Sequence, residues 1–481
     1  MRDYRKQRSA RWPLCLLILL VFPCAVVATD KAARKGTHLP TSKALRPNVL
    51  FVGVSGLNDW IGCLGGHSQA KTPNIDALAK RGVLFTRAYC AASTANASRV
   101  SMLSGRQPST TGVYADDQPL RYALPEELML PQHFKVNGYG VYGSGTVYFR
   151  RYPDVMSWTD HAPRVRDVKP PNPRPQGVAG ARGIDWAPLD IPDSEMGDSQ
   201  RVDWALPYLK KKHDKPFFLA VGLRGPALPW YLPRKYFDSY PPSEVELPKI
   251  NEEDYDDLPN PARLLLAIDH HRYLAHSNNW RGAVSAYLAS IEFVDSMIGR
   301  LLDELNRGPN ADDTIVVFYS DRGFHLGEKI HWADASLWEE STRVPLIIRV
   351  PDILTAGEQC GRTVGLIDLY PTLVELCGLP KVTGLEGVSL VSLLREPSRT
   401  HRRAILTTHG YNSHSVRSER YRYIRYMDGS EEFYDHKVDP LEWNNLARRP
   451  ETGLLRDKHK IWLPKENAPP VPSSRRRIRS N

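Results

Sequence analysis

Short runs of apolar residues with no polar interruption recur along this chain, and they restrict its fold more than any other feature. Val49-Leu50-Phe51-Val52-Gly53-Val54 is the first, followed by Phe217-Phe218-Leu219-Ala220-Val221 and Ile315-Val316-Val317-Phe318-Tyr319, and Leu346-Ile347-Ile348-Arg349-Val350 is a fourth that is broken by Arg349 near its end. Successive side chains of a strand point to opposite faces, so a strand that is apolar throughout must be covered on both sides, as in a parallel sheet. Between the second and third runs, Leu288, Ile291, Val294, Ile298, Leu301, Leu302 and Leu305 repeat at three and four, the spacing of one helix face. Asn74 to Ala79 reads as a further helix, with Pro73 in its first turn. Strands alternating with helices predict an α/β fold, a large, mixed, mostly parallel sheet sandwiched by helices.

A helix near Asp368 to Leu376 closes this large unit, and after Gly378-Leu379-Pro380 the pattern changes. Tyr421 to Tyr426, then Asp428-Gly429 and Phe433-Tyr434, read as an antiparallel hairpin, part of a small C-terminal α+β domain. Val165 to Gly183 is rich in Pro, Gly and Arg and reads as a surface loop. The expected organisation is a signal peptide over 1–28, a linker over 29–46, the α/β domain over 47–378, the small domain over 379–466 and a basic disordered tail over 467–481.

The ends carry the charge. Arg2, Arg5, Lys6, Arg8 and Arg11 precede an apolar run from Trp12 to Val27 and the small residues before Thr29, the pattern of a secretory signal. The run is short of the ~20 apolar residues of a spanning helix, which argues against a signal anchor. Export to the periplasm or beyond is the expectation, with no stable membrane span after cleavage. The net charge of +10 would suggest nucleic acid, but much of it sits in that leader and in Arg475-Arg476-Arg477-Ile478-Arg479. The folded body shows no basic stripe, so a nucleic-acid partner is not expected. Cys63, Cys90, Cys360 and Cys377 beyond the leader are too few for a disulfide scaffold, and their pairing is not legible from sequence.

Several blocks together resemble the sulfatases, the iduronate-2-sulfatase-like bacterial branch in particular. They are Leu57-Asn58-Asp59-Trp60, Lys71-Thr72-Pro73-Asn74-Ile75-Asp76, Ser104-Gly105-Arg106-Gln107-Pro108, Gly323 through Lys329, and Leu337 through Pro345. Their order and spacing span about Pro47 to Pro440. The resemblance implies an alkaline-phosphatase-like α/β domain followed by a small antiparallel-sheet domain. It also implies a Cys matured to formylglycine, which attacks a sulfate ester beside a carboxylate-held calcium ion.

The positions that carry this chemistry are substituted here. The family's Cys-x-Pro/Ala-x-Arg pattern reads Ala95-Asn96-Ala97-Ser98-Arg99, so Ala95 stands at the nucleophile position and Arg99 is retained. The two Asp ligands that end the first strand are Ser55 and Gly56, and the later Asp-His or Asp-Asn pair is Asp321-Arg322. The expected Lys-x-x-His becomes Thr146 to Phe149, the expected His after Pro226 is Ala227, and the expected Lys after Ala333 is Asp334. A hard divalent cation takes about six to eight oxygens with several carboxylates among them, and Asp321 alone does not supply such a shell. No cofactor is therefore expected, and Arg322 is expected to replace the metal as the partner of Asp321. Removing a triad nucleophile costs a serine protease about 10⁶-fold in rate, so the expectation is a protein that does not turn over.

What remains has plain readings beside the functional ones. Arg99 and Arg322 are candidates for binding an anion, or pair within the fold. Cys90 lacks the Arg four residues on that maturation would need, and reads as a small buried hydrophobe. His325 and His331 read as structural hydrogen-bonding groups; Asp269, His270, His271 and His276 read as a solvated helix face rather than a metal site. Ser93, Thr94 and Ser98 are hydroxyls with nothing to activate them. The function expected is a non-catalytic sulfatase relative that binds sulfated glycans through Arg99, Arg322 and the loop at Arg164, Arg166, Lys169 and Arg174. The alternatives are hydrolysis of sulfated polysaccharide by an altered site, or a structural partner of an active sulfatase.

Overall fold

The structure, a computed structural model, describes residues 46–149, 152–172, 184–266, 268–276 and 279–474. The expected signal peptide, nearly all of the linker, Arg174 and the arginines of the tail lie outside these residues.

The main sheet contains β1 (Asn48–Ser55), β2 (Val83–Tyr89), β3 (Gly140–Gly145), β4 (Asp160–His161), β5 (Phe217–Pro226), β6 (Thr314–Ser320), β7 (Arg343–Val344), β8 (Leu346–Arg349) and β9 (Gln359–Gly365). Their order is β7-β2-β8-β6-β1-β5-β3-β4, with β9 paired to β2. The central strand β1 is parallel to both neighbours, Val49 facing Phe218 of β5 on one side and Ile315 of β6 on the other. Only β7 and β8 run antiparallel to their partners, so the sheet is mixed and mostly parallel.

The helices that cover it include α1 (Pro73–Ala79), α2 (Ala95–Ser104), α3 (Gly197–Lys210), α4 (Trp280–Arg307) and α5 (Leu369–Leu376). The uninterrupted apolar runs now have their cause. Leu50, Val52 and Val54 of β1 join one apolar cluster with Leu288, Ile291 and Val294 of α4. Val49 and Phe51 join another with Val100 and Leu103 of α2 and Leu373 of α5. Each such side chain, fully buried, contributes about 2 kcal/mol relative to exposure. At Gly53 a Cβ would stand 2.5 Å from the Tyr319 hydroxyl, so only glycine lets that ring lie across β1.

A second sheet is an antiparallel meander of β10 (Ile405–Thr408), β11 (His414–Arg417), β12 (Tyr421–Arg425) and β13 (Glu431–Asp435). The hairpin expected from sequence is its second half, with Tyr423 facing Phe433. The meander is joined to the main sheet where Ala92, past the end of β2, bridges Thr408. Charge reinforces this join: Arg422, with no exposed surface, pairs with Glu442 at 2.5 Å and with Glu339, which also holds Arg417 at 3.1 Å.

The chain from 467 to 474, expected within a disordered tail, is instead tied down. Ala468, Val471 and Ser474 donate backbone N–H groups to the carbonyls of Ser109, Gly112 and Asp117 at 2.7, 2.9 and 2.9 Å. In return the Tyr114 hydroxyl and the Gln118 amide donate to the carbonyls of Ala468 and Val471 at 2.7 and 2.6 Å. An extended segment whose peptide groups find partners in this way is ordered despite its Pro-rich, polar sequence. Among the described residues no helix is long and apolar enough to cross a membrane, and the four cysteines found there are free thiols.

Candidate functional site

In open α/β sheets ligands gather at the carboxyl ends of the strands, because loops of different strands converge there. Here β1 ends at Ser55 and β6 at Ser320, and the parallel register sets Val54 opposite Ser320. Ser55 and Asp321 therefore come side by side. The left-handed conformation of Gly56, φ 74°, turns the chain away immediately after. From the other side α2 presents Ala95 in its first turn and Arg99 four residues on, one helical turn away.

These elements bring four charges together. The Asp321 carboxylate meets Arg99 Nη2 at 2.8 Å and Arg322 Nη1 at 3.0 and 3.1 Å. It also accepts the Ser55 hydroxyl at 3.2 Å and the Gly56 N–H at 3.3 Å. The Ser55 oxygen in turn accepts from Arg322 Nη1 at 2.7 Å and Arg99 Nη2 at 3.1 Å. Arg322 Nε donates to Asp334, twelve residues further along the chain, so one guanidinium joins the carboxylates of Asp321 and Asp334. Burial alone would lower the pKa of Arg322, but Asp334 and then Asp321 outweigh it and hold the group firmly cationic. Asp321 is 1% exposed, Arg99 7% and Arg322 9%, so these three are buried, while the Asp334 side chain closes the cluster from its solvent-facing side.

The donor set does not fit a divalent cation. Both oxygens of Asp321 face N–H and O–H donors, and a guanidinium, not a second carboxylate, lies beside them. A unit charge about 4 Å from another is worth roughly 4 kcal/mol at an effective dielectric near 20, and a divalent ion beside Arg322 would feel more repulsion than that.

The other substituted positions are accounted for individually. The Thr146 hydroxyl donates to backbone carbonyls of Gly222 and Leu223 at 3.3 and 3.2 Å. Phe149 is half-buried, its ring 6.2 Å from that of Tyr152. Ala227 lies against Gly56, where an added Cβ would meet its methyl at 3.7 Å. Among the neighbouring hydroxyls, Ser98 donates to the Asp321 carbonyl at 2.5 Å, Thr94 to the Tyr114 carbonyl at 3.1 Å, and Ser93 lies 2.9 Å from His409 Nδ1. Cys90 is buried with its sulfur 3.7 Å from the Ser341 carbonyl, and burial pushes its thiol up, away from the thiolate.

His325 is fully buried between the Glu328 carbonyl and Ser336 Oγ, and burial holds its pKa well below the usual range. His331 contacts the Asp334 carbonyl at 2.9 Å, and burial brings it down to about 4. His271 accepts the Trp332 indole N–H at 3.1 Å; the side chain of His276 lies outside the described residues. Among the described residues, the three-ligand group that could hold a metal is Glu339, His436 and Glu442, but Arg422 pairs with both carboxylates. Arg164, Arg166 and Lys169 are exposed.

Two contributors escaped the sequence reading. Asp116 accepts the Asn96 N–H at 2.9 Å and so places a carboxylate at the N-terminus of α2, where an incoming anion would otherwise find free donors. Burial raises its pKa, against that hydrogen bond and the attraction of Arg322 and Arg99. His409, just past β10, brings the small sheet to the pocket. Nothing in the sequence around either residue distinguishes it, because each acts across a fold contact.

Comparison with known proteins follows the same outline. The sulfatase family model matches residues 47–379, and that of the N-sulphoglucosamine sulphohydrolase C-terminal region matches 327–466. A sulfatase of Formosa agariphila is 37% identical over 445 residues, covering 88% of this chain and 87% of the relative. Human iduronate 2-sulfatase is 30% identical over 424 residues, covering 77% of this chain and 75% of the relative. A solved structure in complex with its substrate D-glucosamine-2-N,6-O-disulfate superposes with a TM-score of 0.71 over 86% of this chain and 96% of the other; at 20% identity that likeness is one of fold.

Proposed function

This chain belongs to the sulfatase family, and from that premise we propose that it is a member that does not hydrolyse sulfate esters and holds no calcium. The observation that carries the proposal is the Arg322 guanidinium, bound to Asp321 and Ser55 where the resemblance calls for a cation among carboxylates. The nucleophile position offers only the Ala95 methyl group. The ligand class is a sulfated saccharide, in keeping with relatives such as human iduronate 2-sulfatase, and the protein acts outside the cytoplasm, exported by its N-terminal segment. For a sulfate to reach Arg99 and Arg322 it must displace Asp321 and Asp334, so binding at these two groups is weak and salt-sensitive.

The purified protein is expected to leave a chromogenic aryl sulfate and a 2-O-sulfated uronic acid disaccharide intact in excess calcium. Elemental analysis is expected to find calcium far below one ion per chain. Turnover above that of a heat-killed control, or stoichiometric calcium, would refute the reading.

One observation favours the altered-site alternative. Ser93 Oγ lies 2.9 Å from a ring nitrogen of His409, the relation of a nucleophile to its base. Ser93, however, has no exposed surface, and a reacting sulfate could not reach it without rearrangement. If turnover were found, its loss in Ser93→Ala would assign it to this pair.

A further inference from the structure

Of the two carboxylates that stand in the way of a sulfate, only Asp334 sits on backbone built to yield. Asp321 is held by Arg99, Arg322, the Ser55 hydroxyl and the Gly56 N–H, and is almost without exposed surface. The Asp334 side chain is 28% exposed and meets the cluster at Arg322 Nε. Its two neighbours, Ala333 and Ala335, both take the left-handed conformation, each with φ 73°. Alanine is strained there because its Cβ crowds the carbonyl oxygen that follows, whereas glycine has no such contact. Two such residues flanking one charged side chain mark backbone held off its preference so that the side chain is aimed inward.

The tip that carries Asp334 is short and anchored on both sides. Before it, Trp332 pairs with Leu326 and gives its indole N–H to His271 at 3.1 Å. After it, Ser336 Oγ lies 2.9 Å from His325 Nε2. Between these anchors the tip is kept in by the His331 ring on the Asp334 carbonyl at 2.9 Å, by the Ala335 N–H on the Ser93 carbonyl at 3.2 Å, and by Arg322.

We propose that Asp334 is a built-in anionic latch on a sulfate-binding site: a sulfate group displaces it from Arg322, and the released tip relaxes at Ala333 and Ala335. The proposal rests on the sulfated ligand class put forward above and adds how that site opens. Once Asp334 has swung out, two guanidiniums face the one buried carboxylate of Asp321, a positive surplus that Asp116 tempers from the N-terminus of α2. Arg322 Nε, given up by Asp334, becomes a donor for a sulfate oxygen. A closed latch lowers the apparent affinity in proportion to the fraction of molecules that are open, so changes in the latch are read as changes in sulfate affinity.

The test titrates the protein and its variants with inorganic sulfate and with a sulfated heparin disaccharide, in EDTA and at constant ionic strength. Asp334→Asn is expected to tighten sulfate binding about tenfold, because the uncharged tip opens more often. Asp303→Asn, which removes an exposed charge near the C-terminus of α4, at the end of the sheet where β6 begins, is expected to change it by less than about twofold. The pair Ala333→Gly and Ala335→Gly acts in the opposite sense: glycine settles the closed tip, so sulfate should bind about fivefold more weakly while the melting temperature rises. In the unsubstituted protein, sulfate is expected to speed amide exchange at Ala335, whose N–H leaves the Ser93 carbonyl; a ligand on a closed site would slow it. Unchanged or weaker sulfate binding in Asp334→Asn, an equal gain in Asp303→Asn, tighter binding in the glycine pair, or slower exchange at Ala335 would each overturn the proposal. The exchange measurement needs no substitution, so it decides even if a variant folds poorly. A gain for inorganic sulfate that the disaccharide does not share would sink the saccharide ligand class and leave the latch standing.

Discussion

Arg322 is bracketed by two carboxylates, and its removal would leave Asp321 buried beside Arg99 alone and Asp334 without a partner. Breaking a buried ion pair from one side costs about 3–5 kcal/mol, because the surviving charge stays desolvated. Arg322→Met is therefore expected to destabilise the protein by about that amount. Asp334→Asn should cost about 1 kcal/mol, since that side chain is 28% exposed and water can take over part of the interaction. The double variant should be more stable than the sum of the two losses by about 1–2 kcal/mol in urea unfolding. Simple additivity would show that the Lys-to-Asp and metal-ligand-to-Arg departures at 334 and 322 are independent accidents rather than one compensated change. The identities of these residues were legible beforehand, because each stands at a fixed offset from a block such as Gly323 to Lys329. Their pairing was not, since it depends on the loop after β6 folding back over twelve residues.

At the scale of elements, the sequence disclosed what is buried on two faces and hid what is buried for other reasons. β1, β5, β6 and β8 stood out as apolar runs. β3, reading Gly-Val-Tyr-Gly-Ser-Gly, and β9, reading Gln-Cys-Gly-Arg-Thr-Val-Gly, did not, because close approach and edge positions select glycine and polar residues there. α2 is buried at all ten positions yet carries serines, Asn96 and Arg99, so no amphipathic stripe marks it. The small sheet was visible as a hairpin, but not the ion network that fastens it. Glu442 is the sensitive member: burial would raise its pKa, but Arg422 and His436 outweigh this and bring it to about 2. A carboxylate depressed from about 4.5 to about 2 contributes stability that is complete above the unfolded pKa and is lost as pH falls through the folded one. The shift corresponds to about 3 kcal/mol, withdrawn between about pH 5 and 2. Glu442→Gln should therefore be markedly less stable than the parent at pH 7, with the gap narrowing as the pH approaches 3. A gap that stays constant with pH would show that Glu442 is not held ionised by Arg422.

Over the whole molecule, the last described stretch of chain returns to the site built by the first strands, which no local pattern in a Pro-rich terminus announces. Gln118 is the hinge of this return. Its Oε1 accepts the N–H groups of Tyr114 and Ala115 at 2.5 and 2.8 Å, while its amide donates to Val471. Those contacts shape the loop that carries Asp116 to the N-terminus of α2. If the 467–474 strap holds the loop, a chain ending at Glu466 should free Tyr114 Oη and the Gln118 amide together, and the loop should open locally. The expected result is faster amide exchange at Tyr114, Ala115 and Asn96, on the order of tenfold for each ~1.4 kcal/mol of local stability lost. Amides of β1, which are buried under helices on both faces and far from the strap in the hydrogen-bond network, should exchange as before. Equal acceleration in β1 would mean that truncation lowers global stability; no acceleration at the loop would mean that α2 and Asp116 hold the pocket without help from the C-terminus.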